Sequence, residues 1–379
     1  MTSKKILIIS YFFYPEITPR AFRTYELVKE FCKQGDNVTL VLPNRELYRK
    51  NPVEMENLSI IYSCSPLRKI SAPVKAVSKD ADFKKAVITK IKSIGRYFLP
   101  RELYGVYDNG ITKVLNTLHD EFDVLISISH PPSIHLSVML ASFRNQTLRK
   151  ALKIAEFSDP MFKGRWSNTF ALNWLFGYFF SKTFKYFVVP VHVAVPSLIP
   201  FKSKEKIKVI PQGFDLSEHA TAEYIPNKTI TFAYAGSFYK DLRNPEYFLD
   251  FLTELKCDFI FRLYIPENNV YFTDLVKNYA NKIQGKLEIS DIIPRPDLIY
   301  ELSKADFLVN FNNENAKMVP SKLIDYAIAG RPIISFNSRT FNKNVFLDFL
   351  NRDYTQAVHI NTGDYDIKNV VLLFRSIFN

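Results

Sequence analysis

Residues 319–334 read VPSKLIDYAIAGRPII, and this stretch contains the change of hydrophobic period that decides the fold. Apolar side chains at helical spacing predict a helix over 320–329, with Pro320 in its first turn and Gly330 as its C-terminal cap. The apolar run at 332–336 predicts a buried strand. A helix followed directly by a buried strand is typical of the units that build a parallel sheet.

The same alternation extends over the whole chain. Further strands are predicted at 5–11, 38–42, 58–62, 124–128, 151–157, 186–195, 230–235, 258–264 and 306–310, and further helices at 21–34, 245–255, 272–282 and 296–304. The charged segment 202–227, which contains two prolines and a glycine, is the best linker. The sequence therefore predicts an α/β protein with two Rossmann-like, doubly wound parallel-sheet domains at 1–215 and 216–360. A C-terminal helix is expected in 361–379, and packing back on the N-terminal domain is one arrangement for it.

Composition excludes several classes of protein. The chain has 379 residues, of which 47% are hydrophobic, so it can bury two cores and is neither disordered nor fibrous. Its net charge of +12 favours an anionic partner. Basic residues are spread along the chain without a recognised binding module, so nucleic acid is the weakest candidate. Three scattered cysteines, the lack of a signal-peptide core and the lack of a sufficiently long apolar run predict a cytoplasmic protein.

No cofactor or metal site is predicted. The loop over 14–20 lacks the glycine-rich fingerprint of nicotinamide and flavin sites. His, Asp and Glu residues do not cluster at metal-ligand spacing.

Ligand sites of doubly wound sheets lie at the carboxyl ends of strands, so the loops there carry the candidate residues. His130 follows a predicted strand beside a helix start, where a neutral imidazole would reach a sugar hydroxyl or cap local structure. Asp159 follows another strand and would accept a proton or a hydroxyl, although Asp before Pro more often forms a turn. The loop 14–20 is either an ordinary βα connection or part of a pocket.

The helix over 320–329 carries the most specific pattern. Its free N–H groups, together with Ser321 and Lys322, would bind a diphosphate, and Asp325 lies one turn further along, where a carboxylate binds ribose hydroxyls. The alternative is an amphipathic helix between two strands that binds no ligand.

At these residues the chain resembles glycosyltransferase family 4 and its relatives in bacterial cell-surface polysaccharide synthesis. The similar segments are KILIISYFFYPE at 5–16, SHPP at 129–132, SDP at 158–160, VIPQGFD at 209–215, YAGS at 234–237 and PSKL at 320–323. They occur in the family's order and cover nearly the whole chain.

The resemblance implies the GT-B fold, in which two Rossmann-like domains face a central cleft. It further implies a nucleotide-diphosphate sugar in the C-terminal domain, an acceptor in the N-terminal domain, retention of anomeric configuration and no obligatory metal. The donor-binding residues it implies are Gly236, Ser237, Arg243, Ser321, Lys322 and Asp325.

The catalytic residues that the resemblance implies are His130, which orients the donor sugar, and Asp159. Thr18 and Arg20 stand near the place of the family's loop glycines and are expected to shape the acceptor pocket. Lys317 occupies the place of an acidic residue of the family, which leaves open a non-catalytic homologue that binds nucleotide sugar. A sugar-nucleotide epimerase or phosphorylase of the same architecture is a further alternative.

Residues 79–98 predict a basic amphipathic helix, with apolar residues on one side and four lysines elsewhere on the wheel. Either it meets an anionic membrane surface or it packs on the N-terminal domain. A saccharide acceptor linked to a lipid diphosphate, at the inner face of the cytoplasmic membrane, is compatible with both arrangements: the helix would pack on the N-terminal domain and also meet the membrane.

Overall fold

A computed structural model describes residues 2–16, 18–66, 109–129, 131–157, 170–241, 243–283, 286–313 and 322–378. The chain divides into two compact units. The first comprises Met1–Phe214 with Ile367–Asn379, and the second comprises Asp215–Asp366. The predicted basic helix over 79–98 lies outside the described residues.

The first unit is built on a seven-stranded parallel sheet in the order β3-β2-β1-β4-β5-β6-β7. The strands are β1 (Lys5–Ser10), β2 (Asn37–Asn44), β3 (Leu58–Pro66), β4 (Val124–Ile128), β5 (Leu152–Glu156), β6 (Tyr186–Val189) and β7 (Ile207–Val209). The strand order reverses between β1 and β4, which is where sheets of this type bind ligands. The first unit's earlier helices are α1 (Pro19–Lys33), α2 (Glu46–Lys50), α3 (Asn109–Thr117), α4 (Ser133–Arg144), α5 (Gln146–Lys150), α6 (Phe170–Thr183) and α7 (Val195–Leu198).

The second unit is built on a five-stranded parallel sheet in the order β10-β9-β8-β11-β12. Its strands are β8 (Thr231–Ala235), β9 (Ile260–Tyr264), β10 (Leu287–Ser290), β11 (Phe307–Phe311) and β12 (Ile333–Phe336). Its helices are α8 (Glu246–Glu254), α9 (Val270–Lys282), α10 (Arg295–Ser303), α11 (Lys322–Ile328) and α12 (Lys343–Leu350). The order reverses between β8 and β11.

Both sheets have buried apolar residues on their two faces, as parallel strands require. The core of the second unit is largely aromatic. The Phe232 ring stacks on Phe261 and Phe307 at centroid distances of 4.7 and 4.9 Å, and Phe248 and Phe346 pack edge-on against it. Aromatic side chains bury large apolar areas, so this cluster forms much of the core of the second unit.

The last helix, α13 (Ile367–Arg375), belongs to the first unit and packs on α1. The Phe374 and Phe31 rings meet edge to face at 6.3 Å, and the Arg375 guanidinium pairs with buried Asp36 at 2.6 Å. A Cβ atom at Gly213 would lie 2.9 Å from the Cα of Ile367, so only glycine allows this approach. Close packing against α13 therefore explains the glycine of the VIPQGFD segment.

The predicted class, two doubly wound parallel α/β sheets, is confirmed. One predicted strand was too long, and β7, β10 and α12, which the structure describes in the second half of the chain, were not predicted. The strand expected over 186–195 ends at Val189, because Pro190 lacks an N–H donor, and a short helical stretch follows it. The edge strand β10 has only four residues, in which apolar residues alternate with exposed polar ones, and this is too short a pattern to predict a strand.

Candidate active site

The strand ends at the reversal point of the second sheet bring the predicted donor residues together. β8 ends at Ala235, and Gly236 follows it with φ of +130°, a conformation that side-chain-bearing residues rarely adopt. A Cβ atom there would still find room, with the Tyr234 hydroxyl as its nearest neighbour at 3.5 Å. Glycine is therefore required by the backbone turn at this position and not by crowding.

Arg243 connects the loops that follow β8 and β11. Its NH1 donates to the Ser237 carbonyl at 3.2 Å and its NH2 to Asn313 Oδ1 at 2.9 Å. Backbone hydrogen bonds between Arg243 and Tyr239 close the loop that carries it. The Nε atom is buried and has no hydrogen-bond partner among the described residues. The guanidinium is thus fixed in place with one donor unused.

Lys322 is the first residue of α11, and its ammonium is enclosed by protein. Nζ lies 4.2 Å from the centroid of the Tyr234 ring and has no hydrogen-bond partner in the described part of the chain. Burial, and then the neighbouring charge of Arg243, lower the pKa of Lys322 well below its usual value. A buried ammonium without an acceptor is unfavourable, and an anion bound beside it would supply one.

Tyr326 fixes α11 to the end of β8. Its hydroxyl accepts a hydrogen bond from the Ala235 N–H at 2.8 Å, and the side chain is fully buried. Burial raises the pKa of Tyr326 well above its usual value, so the phenol stays neutral. Sequence reasoning had not singled out Tyr326 or Asn313; a tyrosine within a helix is usually a packing residue, and an asparagine after a strand is usually a turn former.

Asp325, predicted to bind ribose, is paired within the chain. Its Oδ1 accepts from Arg295 Nε at 2.8 Å, and Arg295 NH2 lies at the same distance. The Arg295 NH1 atom is 3.3 Å from His219 Nε2. Burial raises the pKa of Asp325, and the charge of Arg295 opposes this shift. Sequence spacing could not reveal this pair, because thirty positions separate the partners.

The loop after β1 is the corresponding region of the first unit. Thr18 Oγ1 accepts from the Ala21 N–H at 3.2 Å and caps α1, and Arg20 lies partly buried in the first turn. The Glu16 carboxylate accepts hydrogen bonds from Arg45 and from the Tyr48 hydroxyl. The contacts of Thr18 and Glu16 thus hold the loop itself in place.

Four sequence-predicted positions, His130, Asp159, Lys317 and Ser321, lie outside the described residues. The strands that precede the first two in the chain, β4 and β5, are neighbours in the sheet, with Ile128 paired to Glu156. The Glu156 side chain is buried at the end of β5 and pairs with Arg23 Nε at 2.9 Å.

Solved structures of glycosyltransferases share this fold over the full length of the chain. HepE of Anabaena, in complex with UDP-glucose, superposes with a TM-score of 0.58 at 10% identity, covering 99% of each chain. TarM gives a TM-score of 0.62 at 8% identity, covering 100% of this chain and 99% of that one. The lipopolysaccharide outer core galactosyltransferase WaaB gives 0.54 at 12% identity, covering 99% and 96%. The chain has the GT-B fold of these proteins. No family model and no curated protein sequence matches it.

Proposed function

We propose that the protein is a glycosyltransferase that moves a sugar from a nucleotide-diphosphate sugar to a saccharide or lipid-linked saccharide acceptor. One observation carries the proposal: two cationic side chains, Arg243 and Lys322, each have one buried nitrogen without a hydrogen-bond partner in the described chain, beside Gly236 at the reversal point of a Rossmann-like sheet. A diphosphate supplies the acceptors that these nitrogens lack. The HepE structure holds UDP-glucose, which supports a nucleotide-sugar donor here.

In this proposal the cations stabilise the negative charge that develops on the departing nucleotide diphosphate. Gly236 and Ser237 approach the diphosphate closely, and Ser321 adds a hydroxyl. Asp325 shares its carboxylate between Arg295 and a ribose hydroxyl. Transfer proceeds with retention and without a cofactor or metal, so we expect turnover to survive EDTA; loss of turnover that magnesium restores would contradict this assignment.

In the first unit, His130 orients the donor sugar. Asp159 accepts a hydrogen bond from a sugar hydroxyl or takes up a proton. Thr18 and Arg20 border the acceptor; the Thr18 hydroxyl, although it caps α1 as an acceptor, still has a proton to donate. The proposed setting is synthesis of capsule, lipopolysaccharide or another cell-surface polysaccharide, by a cytoplasmic protein peripheral to the inner face of the membrane. WaaB, a lipopolysaccharide galactosyltransferase of the same fold, supports this setting.

The proposal is tested by thermal unfolding in the presence of a panel of nucleotide sugars that begins with UDP-glucose. A ligand at about 100 times its Kd stabilises the folded state by about 2.7 kcal/mol. We expect one donor to raise Tm, and the Lys322→Met variant to lose that rise. The matched control is Lys256→Met, which removes an exposed lysine elsewhere in the second unit. Absence of stabilisation by every nucleotide and nucleotide sugar would refute the proposal.

Two alternatives predict other outcomes. A sugar-nucleotide epimerase would isomerise the stabilising donor with no acceptor present. A non-catalytic homologue, which Lys317 keeps open, would bind the donor but show neither transfer nor isomerisation.

A further inference from the structure

The first unit has a basic depression at the amino edge of its sheet, which we call the basic basin. It has a volume of about 780 Å³ and adjoins the first residues of β4, β5, β6 and β7. The ligand-binding loops of a parallel sheet lie at the opposite, carboxyl edge. Within the first unit, the basic basin therefore lies at the edge opposite to the loop that follows β1.

Among the described residues that line the basic basin, seven are cationic and one, Asp123, is anionic. The Asp123 carboxylate accepts a hydrogen bond from the Lys5 N–H at 2.8 Å. The lining residue Lys150 pairs with the exposed Glu121 carboxylate at 3.5 Å. After hydrogen bonding with Ser203, the charge of Lys206 contributes to lowering the pKa of its exposed neighbour Glu205. The Lys182 and Lys206 side chains are both exposed. The basin thus presents a strong excess of positive charge to solvent.

Two of the lining lysines have a structural role. Lys202 Nζ donates to the Ser181 and Phe184 carbonyls, each at 2.6 Å, and Lys153 Nζ donates to the Arg149 and Ala151 carbonyls at 2.8 and 3.0 Å. Burial and neighbouring cations lower the pKa of Lys153 and of Lys202 to about 8. Arg149 has a similar role, because it donates to the Ser142 and Phe143 carbonyls at the end of α4.

An apolar stripe on α6 leads to the basic basin. Leu175, Tyr178, Phe179 and Lys182 follow the spacing of one helix face, and the first three side chains are 49%, 49% and 40% exposed. The opposite face packs into the core through Phe180 and through Gly177, where a Cβ atom would meet the Phe201 ring. A helix that is apolar on both faces needs an apolar neighbour on each.

The stripe and the basin form one continuous surface. Lys182 lines the basin, and its Nζ lies 5.5 Å from the Tyr178 ring centroid. On the adjoining helix α4, Phe143 is 62% exposed, and its carbonyl accepts from Arg149, a basin residue, at 2.7 Å. Because α6 connects two parallel neighbouring strands, the stripe runs from the carboxyl edge of the sheet to the basin.

We propose that this surface, the α6 stripe with the basic basin, docks on an anionic lipid bilayer. Exposed aromatic and aliphatic side chains beside lysines are the combination that binds a membrane interface. The helix has 14 residues, about 21 Å of length, which falls short of the roughly 30 Å bilayer core, so it lies along the surface. No helix among the described residues is long and apolar enough to cross a membrane. The docking surface itself does not depend on the proposed function. Only its role, the delivery of a lipid-linked acceptor, rests on that proposal.

The test is co-sedimentation with vesicles of phosphatidylcholine alone and of phosphatidylcholine with about one third phosphatidylglycerol. The whole protein should bind only the anionic vesicles and be released by about 0.5 M salt. The triple variant Lys182→Gln, Lys185→Gln, Lys206→Gln should partition about 100-fold more weakly, because each lysine near an anionic leaflet contributes about fivefold. The control triple variant Lys228→Gln, Lys256→Gln, Lys277→Gln removes the same charge from exposed positions of the second unit and should bind normally.

A second variant tests the stripe without changing charge. Tyr178→Ser with Phe179→Ser should weaken binding about tenfold, and both side chains are exposed enough for the fold to tolerate the change. Equal vesicle binding by the basin and control variants would overturn the proposal. Binding of RNA that the basin variant loses, with no vesicle binding by the wild-type protein, would identify a nucleic-acid surface and also overturn it. Vesicle binding by a protein that no nucleotide sugar stabilises would refute the proposed function alone.

Discussion

The loops that follow β1 and β8 occupy the same topological place, each beside the reversal of strand order in its sheet, yet they differ chemically. After β1, Glu16 is held by Arg45 and Tyr48, and Thr18 caps the next helix. After β8, Arg243 is held in place while its Nε has no partner in the described chain, and Lys322 Nζ likewise has none.

The difference shows that topology decides where a site lies and the side chains decide what it can bind. A loop whose polar groups are hydrogen-bonded is stable without a ligand. Buried cationic groups without acceptors lower the stability of the protein until an anion binds. This contrast supports the proposal that the anionic donor binds the second unit and that the loop of the first unit shapes the acceptor pocket.

The largest effect is expected from the unpartnered cations. Lys322→Met or Arg243→Ala should each lower kcat/KM for the donor by about 10 to 150 fold, mainly through kcat, because each loses a charge-assisted hydrogen bond to the departing diphosphate. The Tm of the empty Lys322→Met protein should not fall, since the variant removes a buried, unpaired charge. Normal turnover in either well-folded variant would show that the substituted cation does not stabilise the departing diphosphate, and the proposed difference between the two loops would fail.

A somewhat smaller effect is expected at Asp325. Asp325→Ala should raise the donor KM by about 10 fold or more with little change in kcat, because a ribose contact is made equally before and during reaction. Asp325→Asn should recover little. Arg295→Gln is the matched variant that breaks the same ion pair from the other side. If both variants lose stability and keep a normal donor KM, the Asp325 carboxylate forms only the ion pair with Arg295 and does not bind the donor.

Donor affinity should depend on pH through Lys322. Its pKa is lowered in the empty protein, and a bound diphosphate raises it, so binding takes up a proton in the pH window between the two values. Affinity should fall as pH rises through that window, by up to about tenfold per pH unit. Calorimetry in two buffers of different ionisation enthalpy measures the uptake. The same proton uptake in Lys322→Met would show that another group is responsible.

The smallest effect is expected in the first loop. Thr18→Ala should lower the free energy of unfolding by about 1 kcal/mol through loss of the α1 cap, and Thr18→Ser should restore it. Donor KM should not change in either variant. Unaltered stability of Thr18→Ala would show that the cap does not stabilise α1, and a change in donor KM would place Thr18 at the donor and not at the acceptor.

Much of the candidate site was accessible from the sequence because it depends on local order along the chain. Gly236 directly follows a buried strand, and Lys322 and Asp325 lie on one helix, so their shared edge follows from parallel-sheet topology. The sequence could not predict which of these charged groups would be paired within the folded protein. Arg295 reaches Asp325 from a different helix, and no periodicity connects positions so far apart.

By itself the sequence determined the two parallel sheets, because alternating apolar strands and amphipathic helices have few other ways to bury their faces. Only the tertiary structure decided which charges were compensated. The pairing of Asp325, the enclosure of the Lys322 ammonium and the exposed face of α6 all depend on which distant side chains come within contact distance. Desolvation and pairing are short-range effects in space, and chain position does not encode them.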